Sequence, residues 1–203
     1  MDVLRAVAQA PSRTVRPSDL APFYTNPRAA AQDLERRGRL HRLAHGYYCA
    51  VPLESDPATW RPSLEAAAAA VARTPTGTDE PVLMGLSAAR AHGALPRALG
   101  TAWVAVTGAR RPLRLADRDA EVRFVRRAVG ALDAERVVLD LGTVLVTTPE
   151  QTLLDLTRST DRHPEVDDVV RALWPRADQD ALDDLARRTR SVSTLERLRR
   201  SVR

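Results

Sequence analysis

Leu34-Glu35-Arg36-Arg37-Gly38-Arg39-Leu40-His41-Arg42-Leu43-Ala44-His45-Gly46-Tyr47-Tyr48-Cys49-Ala50-Val51 is the stretch whose pattern settles the front of the chain. It reads as a helix end, a glycine stop, a strand, a glycine turn and an aromatic-rich second strand. Gly38 suits the position just past a helix, where the backbone turns left-handed and a Cβ is disfavoured. Leu40 and Arg42 alternate against His41 and Leu43, and His45-Gly46 separates them from Tyr47–Val51. That is the signature of a two-stranded wing.

Working upstream, the helix that ends at Arg37 starts at Pro27. Asn26 caps the free amides, and Pro27 at the first helical position needs no donor. Ala30, Ala31 and Leu34 fall on one face, and Arg28, Gln32, Glu35 and Arg36 on the other. Before it stand a short apolar-striped helix over Asp2–Ala10, the triplet Thr14-Val15-Arg16, and a second helix expected from Pro17. Three helices and a β-hairpin in residues 1–52 make a winged helix-turn-helix, a fold that most often docks on double-stranded DNA.

Downstream, PLESDPATWRP (Pro52–Pro62) has three prolines and no periodicity, and residues 53–62 read as a linker. Ser63-Leu64-Glu65 followed by five alanines is a helix of high propensity. Residues 74–81 read as a loop, Val82–Met84 as a short apolar stretch, and Ser87–His92 as a helix ended by Gly93. Strands are expected at Trp103–Thr107 and Glu121–Val125, and a hairpin over Val137–Leu141 and Val144–Val146. Thr148-Pro149-Glu150-Gln151 opens a leucine-rich helix with a capping box, and Ser193-Thr194-Leu195-Glu196 opens a last, arginine-rich one. Asp167–Trp174 and Asp180–Arg190 read as further helices. The chain is therefore α+β: a winged helix-turn-helix followed by a separate α+β domain over residues 63–203.

Composition narrows the chemistry. All 31 basic residues are arginine, lysine and isoleucine are absent, and Asn26 is the one asparagine. These rare types share AT-rich codons, so a GC-rich bacterial genome accounts for the bias and arginine must be judged by placement. Without lysine there is no Walker A loop and no Schiff-base lysine. No apolar run reaches the ~20 residues of a membrane helix. The acidic opening Met1-Asp2 with no apolar region behind it gives no secretory signal. A single cysteine, Cys49, forms no internal disulfide and fits a reducing cytoplasm.

Charge is striped along the chain. Residues 1–52 hold eight Arg against four acids, and residues 97–127 eight against three. Residues 150–184 carry ten acids against four Arg, and residues 185–203 seven Arg against one acid.

Arg28, Gln32 and Arg36 are the candidates for the major groove, since Arg bridges guanine O6 and N7 and Gln bridges adenine N6 and N7. Thr25 and Asn26 start the same helix, where backbone amides meet phosphate. Arg13 and Arg16 precede the second helix and are assigned to the DNA backbone. Arg42 and His45 flank the wing tip and reach the backbone or minor groove, or His45 is a neutral surface residue. Tyr47 and Tyr48 alternate faces, one in the core and one on the wing. A second patch, Arg110, Arg111, Arg114, Arg118, Arg123, Arg126 and Arg127, either extends the DNA footprint or pairs with the acidic stretch 150–184. His41, His45 and Cys49 fall at four-residue steps, but a glycine turn breaks their register, so no metal is expected. Asp155 reads as a buried structural acid paired with an arginine. No catalytic set and no cofactor is expected.

The whole pattern resembles the AbiEi family of antitoxins of bacterial type IV toxin–antitoxin systems. The likeness rests on Leu34–Leu40 with Gly46-Tyr47-Tyr48, on Leu86-Ser87-Ala88-Ala89 with His92-Gly93-Ala94-Leu95, and above all on Val146-Thr147-Thr148-Pro149-Glu150-Gln151-Thr152-Leu153-Leu154-Asp155-Leu156. It spans residues 1–160. It implies a cytoplasmic repressor that binds inverted repeats in its own promoter and counters a neighbouring nucleotidyltransferase toxin without a stable complex. Repeat centres are then expected about 34 Å, or a multiple of that, apart. The alternatives are a winged-helix regulator without a toxin and an enzyme that processes nucleic acid.

Overall fold

The computed structural model describes residues 3–73, 80–159 and 163–202. Asp2, the first residue of the expected opening helix, and positions 74–79 of the expected loop lie outside the described residues.

The head begins with α1 (Val3–Gln9), a 3-10 turn (Pro11–Arg13) and a two-residue strand, β1 (Thr14–Val15). The second helix expected from Pro17 is a single 3-10 turn, Pro17–Leu20. Pro17 and Pro22 bracket too few residues for α-helical bonds to propagate, and Asp19 closes the turn on Arg16 N (2.7 Å). α2 (Pro27–Arg36) follows, with Asn26 Oδ1 accepting from Ala29 N (3.2 Å) as its cap. Gly38 exits at φ +66° into the hairpin β2 (Leu40–Ala44) and β3 (Tyr47–Ala50). β1 adds to β3, giving a three-stranded antiparallel sheet in the order β1-β3-β2. Val7, Val15, Leu20, Ala31, Leu34, Leu40 and Tyr48 close a small core beneath α2.

The rest of the chain is built on a six-stranded mixed sheet of order β6-β7-β5-β4-β9-β8. Its strands are β4 (Val82–Leu83), β5 (Thr101–Val106), β6 (Leu113–Arg114), β7 (Glu121–Arg126), β8 (Ala134–Leu139) and β9 (Gly142–Thr147). The β8–β9 hairpin is the one expected. The β5–β7 and β4–β9 pairs are parallel. Alternation along β5 sends Ala102, Val104 and Val106 to one face, against α3 (Leu64–Ala72), and Trp103 and Ala105 to the other. All nine residues of α3 are buried, so its alanines bring the backbone close to the sheet. α4 (Gly85–Ala91), α5 (Pro149–Arg158), α6 (Val166–Leu173), α7 (Gln179–Arg188) and α8 (Val192–Ser201) pack a second core of leucine, valine and alanine.

The capping boxes differ in detail from expectation. Thr148 does cap α5, accepting from Gln151 N (3.3 Å), but the Gln151 side chain accepts from Asp133 N rather than reaching back to residue 148. α8 starts at Val192, not after Ser193; Ser191 precedes it, and its hydroxyl is engaged by Arg158 Nη1 (3.0 Å) and Thr189 Oγ1 (2.9 Å).

The head and the sheet share an interior. Leu43, Ala44 and Cys49 of the hairpin lie in the same core as α3, β5 and β7. Ala44 bridges Leu115, and Ala116 N donates to Leu43 O (2.8 Å). His41 Nε2 meets Asp117 Oδ2 at 2.8 Å, and Arg118 holds the same carboxylate (2.7 Å) while donating to Pro62 O (2.6 Å). Trp60 stands edge-on to His41 with ring centres 5.7 Å apart.

Candidate nucleic-acid interface

The 3-10 turn at Pro17, the start of α2 and the β2–β3 hairpin together form a groove of about 530 Å³. Arg16, Asn26, Arg28, Gln32, Arg42 and His45 all line it. Arg28 and Gln32, four residues apart, share one helix face. Arg16 is fixed by the hairpin: its Nη2 donates to the Tyr47 hydroxyl (2.7 Å), and its guanidinium lies 4.9 Å from the centre of the Tyr47 ring. Arg42 reaches toward His45 Nδ1 (3.4 Å), with its Nε buried and without a partner. Three arginines, a histidine and two amide side chains therefore face one space, and among the described residues its lining includes no acid. Such a surface suits a polyanion, with charge to meet phosphate and amides to meet base edges.

Three expected contacts stand outside the groove. Arg36 is exposed and pairs with Asp33 (3.0 Å), which Arg37 also engages (2.7 Å). Thr25 is exposed ahead of the α2 cap. Arg13 is exposed on a left-handed turn, φ +46°. Sequence reasoning did not single out Ser18 or the clamp between Tyr47 and Arg16. Ser18 follows Pro17 at a helical-turn start, which was a usable signal. The clamp joins positions 31 apart, with nothing local to announce it. Tyr48 is the buried member of the tyrosine pair, and Tyr47 the one on the wing.

The second arginine group divides. Arg110 turns inward, donating to Ala72 O (2.5 Å) and Val71 O (3.1 Å) at the end of α3 and covering the Phe124 ring at 4.1 Å. Arg118 is held at the junction with the head, and Arg127 pairs with Asp155 of the acidic stretch (2.8 Å). Arg123 meets Glu121 (2.6 Å), and Arg114 is exposed near Asp119 (3.6 Å). Arg111 and Arg126 are exposed.

His41, His45 and Cys49 do not converge. His41 faces Asp117, His45 faces Arg42, and Cys49 is fully buried, where burial and the Asp117 charge push its thiol up to about 12. Among the described residues no group of three such side chains is placed to hold a metal ion.

The remaining motif residues are structural joints. Ser87 Oγ accepts from Trp103 N (2.9 Å), fastening α4 to β5. His92 Nε2 meets Thr147 O (2.8 Å), and the Thr147 and Thr152 hydroxyls bond each other (2.8 Å). Glu150 Oε1 accepts from Asp178 N (2.7 Å), just ahead of α7. These are the positions that carry the likeness to a known family, and a comparison of the whole chain agrees with it: the model of the AbiEi antitoxin C-terminal domain matches residues 82–201.

The chain belongs to the AbiEi antitoxin family. With that family comes an antitoxin role in a toxin–antitoxin pair. This AbiEi chain is also similar to the crystal structure of the RV2827C protein from Mycobacterium tuberculosis, with 22% identity and a TM-score of 0.56 over 98% of this chain and 74% of that one. At that identity the likeness speaks of fold. Among curated proteins no match is found. Among the described residues no helix is long and apolar enough to cross a membrane.

Proposed function

We propose that this AbiEi antitoxin is a DNA-binding autorepressor. The head, residues 1–52, reads inverted repeats in its own promoter as a winged helix-turn-helix. Residues 53–62 connect it to the antitoxin domain, residues 63–203, which counters a neighbouring nucleotidyltransferase toxin in the cytoplasm without forming a stable complex. The toxin class and the type IV mode rest on family resemblance.

The observation that carries the DNA reading is the common groove of Arg16, Asn26, Arg28, Gln32, Arg42 and His45. Arg28 and Gln32 are assigned to base edges, Arg16 and Arg42 to the backbone, and Asn26 chiefly to its cap. Exposed Arg111, Arg114 and Arg126 are assigned to added phosphate contact beside the wing, to which Ala44↔Leu115 joins the β6 region. The test is a gel shift with the upstream promoter fragment at low salt, with an unrelated duplex as competitor. Retardation that the competitor does not remove is expected. Equal competition by both duplexes overturns the reading.

A further inference from the structure

A second cavity, of about 690 Å³, lies in the antitoxin domain between β5, β7, the start of α4 and the second half of α5. This volume is in the range of small-molecule sites. Met84, Trp103, Val125, Leu156 and Val166 give it an apolar wall. Asp155 also lines it, and its side chain is only 6% exposed. Arg127 Nη2 donates to Asp155 Oδ1, while Oδ2 is buried and takes no hydrogen bond. A carboxylate oxygen buried without a partner beside an apolar cavity is costly, and a molecule that reaches it with an N–H or O–H relieves that cost.

The other charges limit what such a molecule is. Arg123 and Arg158 also line the cavity and are more exposed than Asp155. Among the described residues Arg123 bonds Glu121 and Arg158 bonds Ser191, and a guanidinium carries five donors. Burial pushes the Asp155 carboxyl up, against the Arg127, Gln151 and Arg158 contributions that lower it. Among the described residues that line the cavity, a cationic ligand would meet three arginines for one acid. An anionic group at the rim and a neutral donor inside complement the lining.

We propose that this cavity binds a small aromatic acid, its ring against Trp103 and Leu156, a ring N–H or O–H given to Asp155 Oδ2, and its carboxylate toward Arg123 and Arg158. An aromatic ring suits a wall that already contains the Trp103 indole. The site is separate from the groove of the head.

The probe is indole-3-acetate, titrated into the full chain by calorimetry and by amide chemical-shift mapping. Saturable binding is expected with a dissociation constant on the order of 10–1,000 µM, with shifts centred on residues 84–86, 123–127 and 155–158. Two analogues dissect it with the wild-type fold intact. 1-Methylindole-3-acetate, which lacks the donor, and indole-3-acetamide, which lacks the charge, should each bind about tenfold more weakly. Arg158→Gln should remove most of the difference between acid and amide. Asp155→Asn, if folded by circular dichroism, should narrow the gap between the indole and its N-methyl analogue. No saturation at millimolar probe, equal binding of all three compounds, or shifts centred on the head groove would each overturn the proposal.

Discussion

His41 in the head and Asp117 in the loop between β6 and β7 are joined by a 2.8 Å contact across a sequence separation of 76 residues. Burial alone would push the Asp117 carboxyl up, but hydrogen bonds from His41 and Arg118, reinforced by their charges, bring it down to about 2. Its ordinary value is 3.8. The unfolded chain therefore takes up this proton first on acidification. The stabilisation is fully present above about pH 4 and is lost as pH falls toward 2. Thermal midpoints measured from pH 7 to pH 2 should fall more gently at the acid end for Asp117→Asn than for the wild type. Parallel acid limbs would remove Asp117 from the linkage.

Gly38 carries two constraints at once. Its φ is +66°, and a Cβ built there would stand 2.6 Å from Pro57 Cβ. Gly93 has a similar φ of +68° with nothing within 4 Å. Gly93→Ala should cost about 1 kcal/mol from backbone strain alone, and Gly38→Ala about 2–3 kcal/mol because Pro57 must also move. Urea unfolding midpoints compare the two directly. Equal losses would mean that the 53–62 segment yields freely.

The proposed DNA recognition gives a graded series. Arg28→Ala should weaken specific binding by about 1–3 kcal/mol and relax preference at one base position. Arg36→Ala should have a smaller effect, because Arg36 stands outside the groove and is already paired with Asp33. Competition gel shifts over a set of operator variants measure both. If Arg36→Ala were the more damaging, the duplex would lie further along α2 than the groove indicates.

Cys49 should be inert in the native protein. Its thiol is raised to about 12 by burial, so almost no thiolate is present at pH 8. Iodoacetamide should leave the folded chain unmodified and label it once denaturant is added, as mass spectrometry would record. Rapid native labelling would mean that the hairpin opens away from α3.

Much of the head was legible because its signals are local. Asn26-Pro27 marks the start of α2, Gly38 its exit, and His45-Gly46 the turn, each through the conformation that its own residue favours. The helix expected at Pro17 fails for a local reason too, since Pro22 follows before a full α-helical turn is secured. What stayed hidden depends on distant partners. The parallel pairs β5–β7 and β4–β9 have no short-range signature, and β6 is only two residues long. The cluster Arg110 to Arg127 looks uniform as a string, yet Arg110, Arg118 and Arg127 turn inward because Ala72 O, Pro62 O and Asp155 await them. In the groove, placement along the chain singled out residues that do meet there, but only the hairpin geometry brings Arg16 into one space with Arg42.

Leu43, Ala44 and Cys49 root the hairpin beneath α3, and this restricts how such proteins diversify. A cassette spanning residues 1–52 moved between relatives would arrive with a mismatched underside, and an excised one would expose those three side chains to water. Under the proposed operator reading, new preferences are therefore expected to arise by point changes on the outer face of α2, while residues 43, 44 and 115 drift in concert.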